Sequence, residues 1–526
     1  MKRDFSLLDF SLLPTGQCDL LICGGGIYGA WTAYDAALRG LSVVIVEQDD
    51  WASATSSASS KLIHGGLRYL ESYDFKLVKK ALHERRLLMK NAPHRIWPLR
   101  FGVPVYAHSR VGSLRLKAGL LLYDFLAGRL SSDFGHHYFK LAAFSERFPA
   151  LTTANLKSGF TYSDAQTDDA RLVLELIAGA MEAGAVCVNY CKLTELLEQS
   201  THVYGATLQD QISGTTVKIR ARQIVHTTGQ WITTLPEGRD WCRLTKGVHL
   251  VMPAVLSDEA LLLTAQSDGR VFFLIPWYGR TLLGTTDLDY HGNLDQVTVE
   301  AKEVDYLLTE ANHYLKTAWT KHDVIGSYAG LRVMKRSDDA SPSAVSRDWE
   351  LKTTANGVHY SVGGKITSSR EDAARIVDTV CAQLGVSTPC QTAEKNSPWA
   401  PEDNFLDWSA RANERACQLG IDPESAKWLI RRHGKRVPEI FRSIENDPKL
   451  AARIVPALPF IYADLLWSAG NEMIVHLDDL LRRRMPLLIL ANLTESDLGR
   501  LAERVASTLS WDDNTITREV ERCRQR

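Results

Sequence analysis

Three glycines at fixed spacing are the first residues whose pattern suggests a chemical role. Gly24, Gly26 and Gly29 form a GxGxxG motif between a short apolar stretch and a helix-like stretch. Such glycines let the backbone turn tightly, approach a pyrophosphate and direct the N–H groups of a helix N-terminus at it. Glu47 lies 18 residues beyond Gly29, after a second apolar stretch, where a carboxylate accepts hydrogen bonds from a ribose. The pattern indicates a dinucleotide-binding βαβ unit; a purely structural glycine turn is the alternative.

A dense run of hydroxyl groups follows between Ala54 and Leu70, together with a lysine, paired glycines, a histidine and an arginine. Small hydrogen-bond donors of this kind can surround phosphates and the edge of a ring closely. A solvated serine-rich loop is the alternative, but such a loop has no need of Gly65-Gly66 beside His64 and Arg68. The run therefore predicts a ligand-binding segment.

This run resembles the FAD-dependent glycerol-3-phosphate dehydrogenase family of the aerobic, quinone-linked type, whose members carry a nearly identical TSSxSSKLIHGGLRYL sequence after GxGxxG. The resemblance extends over about residues 18–375, and the part of the chain beyond it resembles the family only loosely. Further motifs that carry it are FTYSDAQTDD from Phe160, TGQW from Thr228, KGVH from Lys246, IPW from Ile275, GTTD from Gly284, GLR from Gly330, SRD from Ser346 and GGKIT from Gly363.

The resemblance implies that the cofactor is FAD, bound without a covalent link. The residues that it assigns to FAD are Gly24, Gly26, Gly29, Glu47, Thr55, Ser56, Ser59, Ser60, Lys61, Leu62, His64, Gly65, Gly229, Gly364, Lys365, Ile366 and Thr367. The last four are expected to close over the far edge of the flavin. Backbone N–H groups or a cation are needed there, because negative charge accumulates near N1 and C2=O as flavin is reduced.

The resemblance further implies oxidation of sn-glycerol 3-phosphate to dihydroxyacetone phosphate, with hydride transfer from C2 to flavin N5. A dianionic phosphate calls for arginine, which grips it in a bidentate way, and for lysine as a point charge. The matching cations are Arg68, Arg332, Arg347 and Lys365, although each taken alone is more often part of a surface ion pair. Tyr69 and Thr285 are further candidates for hydrogen bonds to the substrate.

A proton must leave the C2 hydroxyl while the hydride moves, so a base or a polarising cation must stand close to that oxygen. Histidine suits the task because its unperturbed pKa is about 6.5. His64 and His249 both match the family, and the choice between them stays open, as does a role for Arg332 in holding the developing alkoxide. The predicted catalytic set is His64, His249, Arg332 and Lys365.

Members of the family pass their electrons to a membrane quinone or to oxygen, so quinone and oxygen are both candidate acceptors. Three other functions stay open: an oxidase of the same substrate, an amine or amino-acid oxidase of the same flavin fold, and a non-catalytic FAD-binding redox sensor. A homodimer is a further open expectation.

Two stretches are candidates for peripheral membrane contact. Residues 110–129 alternate basic and apolar side chains, which suits a helix in the headgroup layer, with a buried core helix as the alternative. In residues 480–490 an arginine run precedes apolar residues, and ordinary packing with a basic edge reaching solvent is expected. No run approaches the ~18–20 apolar residues that span a bilayer, and the N-terminus lacks a signal-peptide core. The expected location is the cytoplasm, with contact at the inner face of the membrane left open.

The length and composition of the chain limit the kind of fold that can position these residues. A chain of 526 residues exceeds one compact core, and 45% hydrophobic and 23% charged residues are ordinary values for a folded protein. The net charge of -1 argues against nucleic acid as a partner, and the nine cysteines show no spacing suited to a metal site.

The order of apolar runs predicts an α/β fold: a Rossmann-like FAD-binding domain interleaved with a mostly antiparallel β-sheet substrate domain, plus an all-helical C-terminal cap. Among the predicted elements are a strand at residues 19–23, a helix at 30–38 and a helical stretch at 299–317. The two interleaved parts are assigned to residues 1–394 and the cap to residues 395–526, because a proline-containing linker begins at Lys395.

Overall fold

Strands and helices alternate through the first three quarters of the chain and give way to helices afterwards. The computed structural model describes residues 1–9, 16–70, 74–128, 134–256, 258–336 and 348–525, with the side chains of Arg68 and Tyr69 outside the description. The strands of the described residues are β1 Cys18–Cys23, β2 Val43–Val46, β3 Leu62–Ile63, β4 Ile96–Tyr106, β5 His137–Lys140, β6 Leu156–Thr167, β7 Val186–Val188, β8 Cys191–Gln199, β9 His202–Asp210, β10 Thr216–His226, β11 Cys242–Met252, β12 Glu259–Thr264, β13 Val271–Trp277, β14 Arg280–Gly284, β15 Leu288–Asp289, β16 Gly326–Lys335, β17 Trp349–Thr353 and β18 His359–Gly363. The helices are α1 Ile27–Leu38, α2 Phe75–Asn91, α3 Ser113–Ala127, α4 Leu141–Arg147, α5 Asp169–Glu182, α6 Ala301–Asn312, α7 Ser369–Leu384, α8 Phe405–Gln418, α9 Pro423–His433, α10 Val437–Asn446, α11 Tyr462–Asn471, α12 Leu477–Asp479, α13 Leu487–Leu490, α14 Glu495–Leu509 and α15 Asp513–Arg524.

The first sheet is built around the predicted βαβ unit. Its strand order is β17–β18–β10–β1–β2–β7, and β9 and β8 extend antiparallel from β10. Strands β18, β10, β1, β2 and β7 run parallel. All four residues of β2 are buried, as expected for a parallel sheet covered on both faces. The glycine turn after β1 therefore lies at the carboxyl end of the parallel strands, where such sheets bind ligands.

The second sheet has the strand order β15–β11–β14–β13–β12–β4–β6–β3, with β16 beside β11 and β5 beside β6. Its described strand pairs are antiparallel except for β4 with β12. The interleaving of an α/β unit with a mostly antiparallel sheet is confirmed.

The regular elements after residue 400 are all helices in the described residues, which confirms the helical part of the predicted fold class. The boundary at 394/395 stays a prediction. Buried ion pairs join this region to the earlier part of the chain: Asp50, three residues after Glu47, accepts from Arg483 and Arg484, and Arg171, on α5, pairs with Glu472. Residues 480–490 pack as expected, but the prediction that their basic edge reaches solvent is wrong for Arg483 and Arg484, which are 3% and 0% exposed, whereas Arg482 is half-buried.

Two helices differ from expectation in their bounds. The stretch 299–317 is helical only over Ala301–Asn312, because both side-chain amide atoms of Asn312 bond the backbone of Trp319 and so hold the chain in a turn after the helix. α3 occupies most of the stretch 110–129, of which Arg129 lies outside the described residues. No helix of the described residues is both long enough and apolar enough to cross a bilayer.

Candidate active site

A cavity of about 520 Å³ has walls from both sheets. Most of the predicted site residues meet in these walls: Gly24, Gly26, Glu47, Thr55, Ser56, Ser59, Ser60, Leu62, His64, Gly229, His249, Thr285, Arg332, Gly364, Lys365, Ile366 and Thr367. Gly29, Lys61 and Gly65 lie outside the walls. Arg347 and the side chains of Arg68 and Tyr69 lie outside the described residues.

The glycine turn after β1 forms one end of the cavity. Gly24 has φ +114, and a Cβ there would lie 2.6 Å from the carbonyl oxygen of Thr227. Gly29, although behind the wall, is required for the same turn, because its Cβ would lie 1.9 Å from the carbonyl oxygen of Gly24. Helix α1 begins after Gly26, which has no side chain to cap the first N–H groups. The N–H of Ile27, the first residue of α1, donates to Ser56 Oγ, and the helix start lies in the cavity wall, where it suits an anionic group.

Glu47 stands beside this turn at the end of β2. Its carboxylate accepts from the backbone N–H of Gly25 at 2.6 Å and of Asp49 at 2.9 Å. Burial raises the pKa of Glu47 to about 7. A carboxylate fixed by two backbone donors at this place is suited to accept the hydroxyls of a ribose.

The hydroxyl run folds against the glycine turn and the second sheet. Ser56 Oγ accepts from the N–H of Ile27 at 2.9 Å, and the Thr55 hydroxyl donates to the carbonyl of Leu331 at 2.7 Å. The Ser59 hydroxyl donates to Asp169 at 2.6 Å. These bonds fix the run in the cavity wall.

Lys61 has a different environment from the one predicted. Its ammonium lies 2.6 Å from the carboxylate of Asp169 and donates to the carbonyl of Ser57, and the side chain is 2% exposed. It also lies over the rings of Trp277 and Tyr328, 5.1 Å from each centroid. The ammonium therefore lies outside the cavity walls, where Lys61 and Asp169 hold the hydroxyl run from behind. A contact of Lys61 with FAD stays a prediction.

The turn at His64–Gly66 is held from two sides. The N–H of Gly65 donates to the Tyr123 hydroxyl at 3.0 Å and to Asp164 Oδ1 at 3.1 Å. A Cβ at Gly65 would lie 2.5 Å from that hydroxyl, so only glycine fits. On the other side the N–H of His64 donates to Thr367 Oγ1 at 3.2 Å. Gly65 therefore shapes the cavity through packing rather than by lining it.

His249 lies in the wall on β11. Its Nε2 is 2.9 Å from Ser60 Oγ, and its ring stacks on Tyr328 with centroids 4.9 Å apart. Burial lowers the pKa of His249 well below its usual value, and the positive charges of Arg332 and Lys61 lower it further. The imidazole is therefore neutral near pH 7.

Arg332 lies on β16 and reaches a three-residue link, residues 285–287, between β14 and β15. Its Nη2 donates to Thr285 Oγ1 at 2.8 Å, and its Nη1 donates to Asp287 Oδ1 at 3.1 Å and to the carbonyl of Thr286 at 3.2 Å. Its side chain is 22% exposed. The guanidinium is thus oriented by the protein before any ligand binds.

Lys365 belongs to a loop with two glycines in the left-handed region. Gly363 has φ +74 and Gly364 has φ +97, and a Cβ at Gly364 would lie 1.8 Å from the Tyr28 hydroxyl. That hydroxyl accepts from the N–H of Lys365 at 3.0 Å and donates to Asp372 at 2.9 Å. Tyr28, on the first turn of α1, therefore connects the glycine turn with the loop predicted to cover the flavin.

Sequence reasoning missed Arg270 in the cavity wall. It lies in none of the motifs quoted above, and only its neighbourhood in the folded chain shows its relation to Arg332. Its Nη1 donates to the carbonyl of Asp287 at 2.7 Å.

These residues fit FAD. One end of the cavity holds the glycine turn, the start of α1 and Glu47, which suit a pyrophosphate and a ribose. The same cavity reaches the loop 363–367 and the cations of the second sheet. The cradle at Gly24 is one that a larger side chain would fill.

Comparisons with known proteins agree with this reading. Residues 19–370 match the family described as FAD dependent oxidoreductase, and residues 400–516 match the C-terminal domain of alpha-glycerophosphate oxidase. A glycerol-3-phosphate dehydrogenase of Synechocystis is 33% identical, over 98% of this chain and 97% of its own length. A D-erythritol 1-phosphate dehydrogenase of Brucella abortus is 41% identical, over 68% of this chain and 72% of its own.

A solved structure gives the same assignment. The glycerol-3-phosphate dehydrogenase of Bacillus halodurans, complexed with FAD, superposes with a TM-score of 0.79 at 28% identity and covers 99% of this chain and 95% of that one. The chain is therefore a FAD-dependent oxidoreductase and belongs to the family of FAD-dependent glycerol-3-phosphate dehydrogenases.

Proposed function

We propose that the chain oxidises sn-glycerol 3-phosphate to dihydroxyacetone phosphate and passes the electrons to a quinone. The observation that carries this proposal is the meeting of Arg332, Lys365 and neutral His249 in the walls of the cavity that begins at the FAD-type glycine turn. Two cations suit a phosphorylated substrate, and an amino acid would call instead for one carboxylate-binding arginine.

Bound FAD supplies the two-electron acceptor that takes the hydride from C2 of the substrate. The protein must then bind the phosphate, orient C2 and accept the hydroxyl proton. We assign the proton to His249, whose contact with Ser60 Oγ at 2.9 Å and stacking on Tyr328 fix the direction of the ring. His64 lies in the same wall and is the alternative proton acceptor. Arg332, already oriented by Thr285 and Asp287, is placed to bind the phosphate or to stabilise the developing alkoxide.

A four-carbon polyol phosphate is the second candidate substrate. The relative from Brucella abortus, 41% identical over 68% of this chain, is named for D-erythritol 1-phosphate. Such a substrate shares the phosphate and a secondary hydroxyl with glycerol 3-phosphate and is longer by one carbon. The same cavity residues would serve both.

The outer face of α3 supports contact with a membrane, where a quinone would be met. Leu114, Leu121 and Phe125 are 86%, 43% and 63% exposed, and their spacing of seven and four residues places them on one face. Arg115 and Lys117 are also exposed on this helix. An apolar face flanked by basic residues is typical of a helix that lies in the headgroup layer.

The decisive experiment is anaerobic addition of sn-glycerol 3-phosphate to the purified yellow protein. We expect the absorbance of oxidised flavin at about 450 nm to disappear. D-Erythritol 1-phosphate is tested in parallel, with glycerol and erythritol as unphosphorylated controls. The substrate with the higher rate of bleaching at low concentration is the one the site selects. Bleaching by an amino acid, or by none of these compounds, would refute the proposal and favour an amino-acid oxidase or a redox sensor.

The electron acceptor needs a separate measurement. The reduced enzyme is mixed with a water-soluble quinone analogue or with oxygen, and the rate of flavin reoxidation and the hydrogen peroxide formed are recorded. Faster reoxidation by the quinone supports the proposal. Fast reoxidation by oxygen with stoichiometric peroxide would identify an oxidase.

A further inference from the structure

Arg270 is a charged residue of the cavity wall that the proposed function has not used. It immediately precedes β13, and its side chain is 32% exposed. Its Nη1 donates to the carbonyl oxygen of Asp287 at 2.7 Å, and its Nε lies 3.4 Å from Asp268 Oδ2. The guanidinium therefore bridges its own turn and the end of the link at residues 285–287.

That link orients Arg332. Residues 285, 286 and 287 supply the three acceptors named above for its guanidinium, one from each residue. The middle of the link is anchored to β11, because Thr286 Oγ1 accepts from the N–H of Val248 at 3.0 Å. Its end, at Asp287, is anchored by Arg270. Asp287 thus receives one guanidinium on its carbonyl and the other on its carboxylate.

We propose that Arg270 is a positioning residue for Arg332, acting through Asp287. By holding the Asp287 carbonyl, Arg270 keeps the Asp287 carboxylate in place for Arg332 and so fixes the direction of that guanidinium in the cavity. Arginine suits this task better than lysine, because its rigid fork reaches Asp268 and Asp287 at the same time. The inference rests on the proposed function only in taking Arg332 as a substrate-binding cation.

A kinetic cycle tests the proposal in the holoenzyme. Arg270→Gln is expected to lower kcat/KM for the phosphorylated substrate about tenfold, and to change the same parameter, KM or kcat, that Arg332→Lys changes. Arg270→Lys should restore part of the loss. Combined with Arg332→Lys, Arg270→Gln should cause little further loss, because residues that act through one another are not additive. Losses that multiply in the double variant would show that Arg270 acts on its own and would overturn the proposal.

The matched control is Arg243→Gln. Arg243, on β11, pairs with Asp289 at 2.5 Å. Asp289 comes two residues after Asp287 in the chain, and Arg243 lies outside the cavity walls. It should leave both kinetic parameters within about twofold of wild type. Equal losses in Arg243→Gln and Arg270→Gln would indicate a general effect of removing a surface charge and would refute the role of Arg270.

A second measurement does not depend on the substrate. The rate at which phenylglyoxal modifies Arg332 is followed by mass spectrometry in variants that retain full FAD content. We expect this rate to rise several-fold in Arg270→Gln and to stay unchanged in Arg243→Gln. An unchanged rate in Arg270→Gln would overturn the proposal. If wild type oxidises no phosphorylated polyol, the proposed function fails in the kinetic arm while this measurement still decides the role of Arg270.

Discussion

Ser60 Oγ lies 2.9 Å from Nε2 of His249, so the hydroxyl run predicted to bind the cofactor also touches the proposed proton acceptor. Ser60 comes from the segment after the first βαβ unit, and His249 comes from the second sheet. This contact joins the cofactor side and the substrate side of the cavity, and the first prediction follows from it.

His249→Gln should lower the rate constant of anaerobic flavin reduction by about 100-fold or more, as is typical for loss of a general base. FAD content should not change. The measurement is stopped-flow absorbance with substrate in excess, and His64→Gln is the comparison variant. A larger loss in His64→Gln than in His249→Gln would transfer the role to His64.

The pH dependence of kcat offers a separate check of the same base. The base must be neutral, and the pKa of His249 is held well below 6.5 by burial and by two positive charges. Activity should therefore stay level as the pH falls from 8 to 6.5 and decline only below that range. The parameter to measure is kcat, because the second ionisation of the substrate phosphate, near pH 6, also changes KM. A decline centred at pH 7 or above would contradict the assignment.

Glu47→Gln should have opposite effects on cofactor binding and on the stability of the apoprotein. Loss of a charged acceptor for the ribose is expected to raise the dissociation constant of FAD about 10- to 100-fold. The folded-state pKa of Glu47 is raised from 4.5 to about 7, so burial of its charge costs no free energy below pH 4.5, costs progressively more between pH 4.5 and about 7, and costs a constant amount above that. The apoprotein of Glu47→Gln should therefore melt at a higher temperature than wild type at pH 8, and at the same temperature at pH 4.5.

Fluorescence titration of apoprotein with FAD and thermal melts at the two pH values measure these effects. Unchanged FAD affinity would remove Glu47 from the ribose site. A melting temperature that does not rise at pH 8 would show that the buried carboxylate of Glu47 does not destabilise the apoprotein.

Asp50→Ala should destabilise the protein strongly and release FAD at a lower temperature. Asp50 accepts from Arg483 and Arg484. Its removal takes the carboxylate partner from the buried Arg484 guanidinium, whereas Arg483 keeps its pair with Asp479. We expect the melting temperature to fall by about 5–10 °C. The control is Arg415→Ala, whose pair with Glu445 is exposed and should change the melting temperature by only about 1 °C. Equal falls in the two variants would argue against a structural role for the buried pair.

Leu121→Glu with Phe125→Glu should reduce binding to anionic phospholipid vesicles by at least about tenfold, because both side chains lie on the exposed face of α3. Co-sedimentation with vesicles measures the binding, and soluble activity with a short-chain quinone analogue should remain. The control is Leu406→Glu, an exposed leucine of the helical region with no role in this surface. Unchanged vesicle binding with a change in oligomeric state would assign the face to a second copy of the chain.

Much of the cofactor side of the cavity could be predicted from local sequence, because each motif there lies within one short segment. The strand expected at residues 19–23 is Cys18–Cys23, and the helix expected from Ala30 begins three residues earlier, at Ile27. The glycine turn itself starts that helix, a detail that the apolar spacing alone does not show. The glycines and Glu47 meet because the βαβ unit has a fixed geometry.

The missed features depend on contacts between distant parts of the chain. Lys61 was expected to contact FAD, and its pairing with Asp169 was not foreseen because that residue lies 108 residues further on. Arg270 stands in no recognised motif, and its bond to Asp287 exists only once β13 and the 285–287 link are side by side. The arginines at 483 and 484 were expected to reach solvent because Asp50, the partner that they share, lies 433 and 434 residues earlier in the chain.

Helix α3 has two contrasting sides. Phe125 faces outward, whereas the hydroxyl of Tyr123, two residues earlier, accepts from the N–H of Gly65, which lies directly behind the cavity wall. A helix is only about 10 Å across, so a molecule resting on Phe125 and the peptide at Gly65 are separated by a single layer of protein. A molecule bound at that surface would therefore be linked to the peptide next to His64 through one helix.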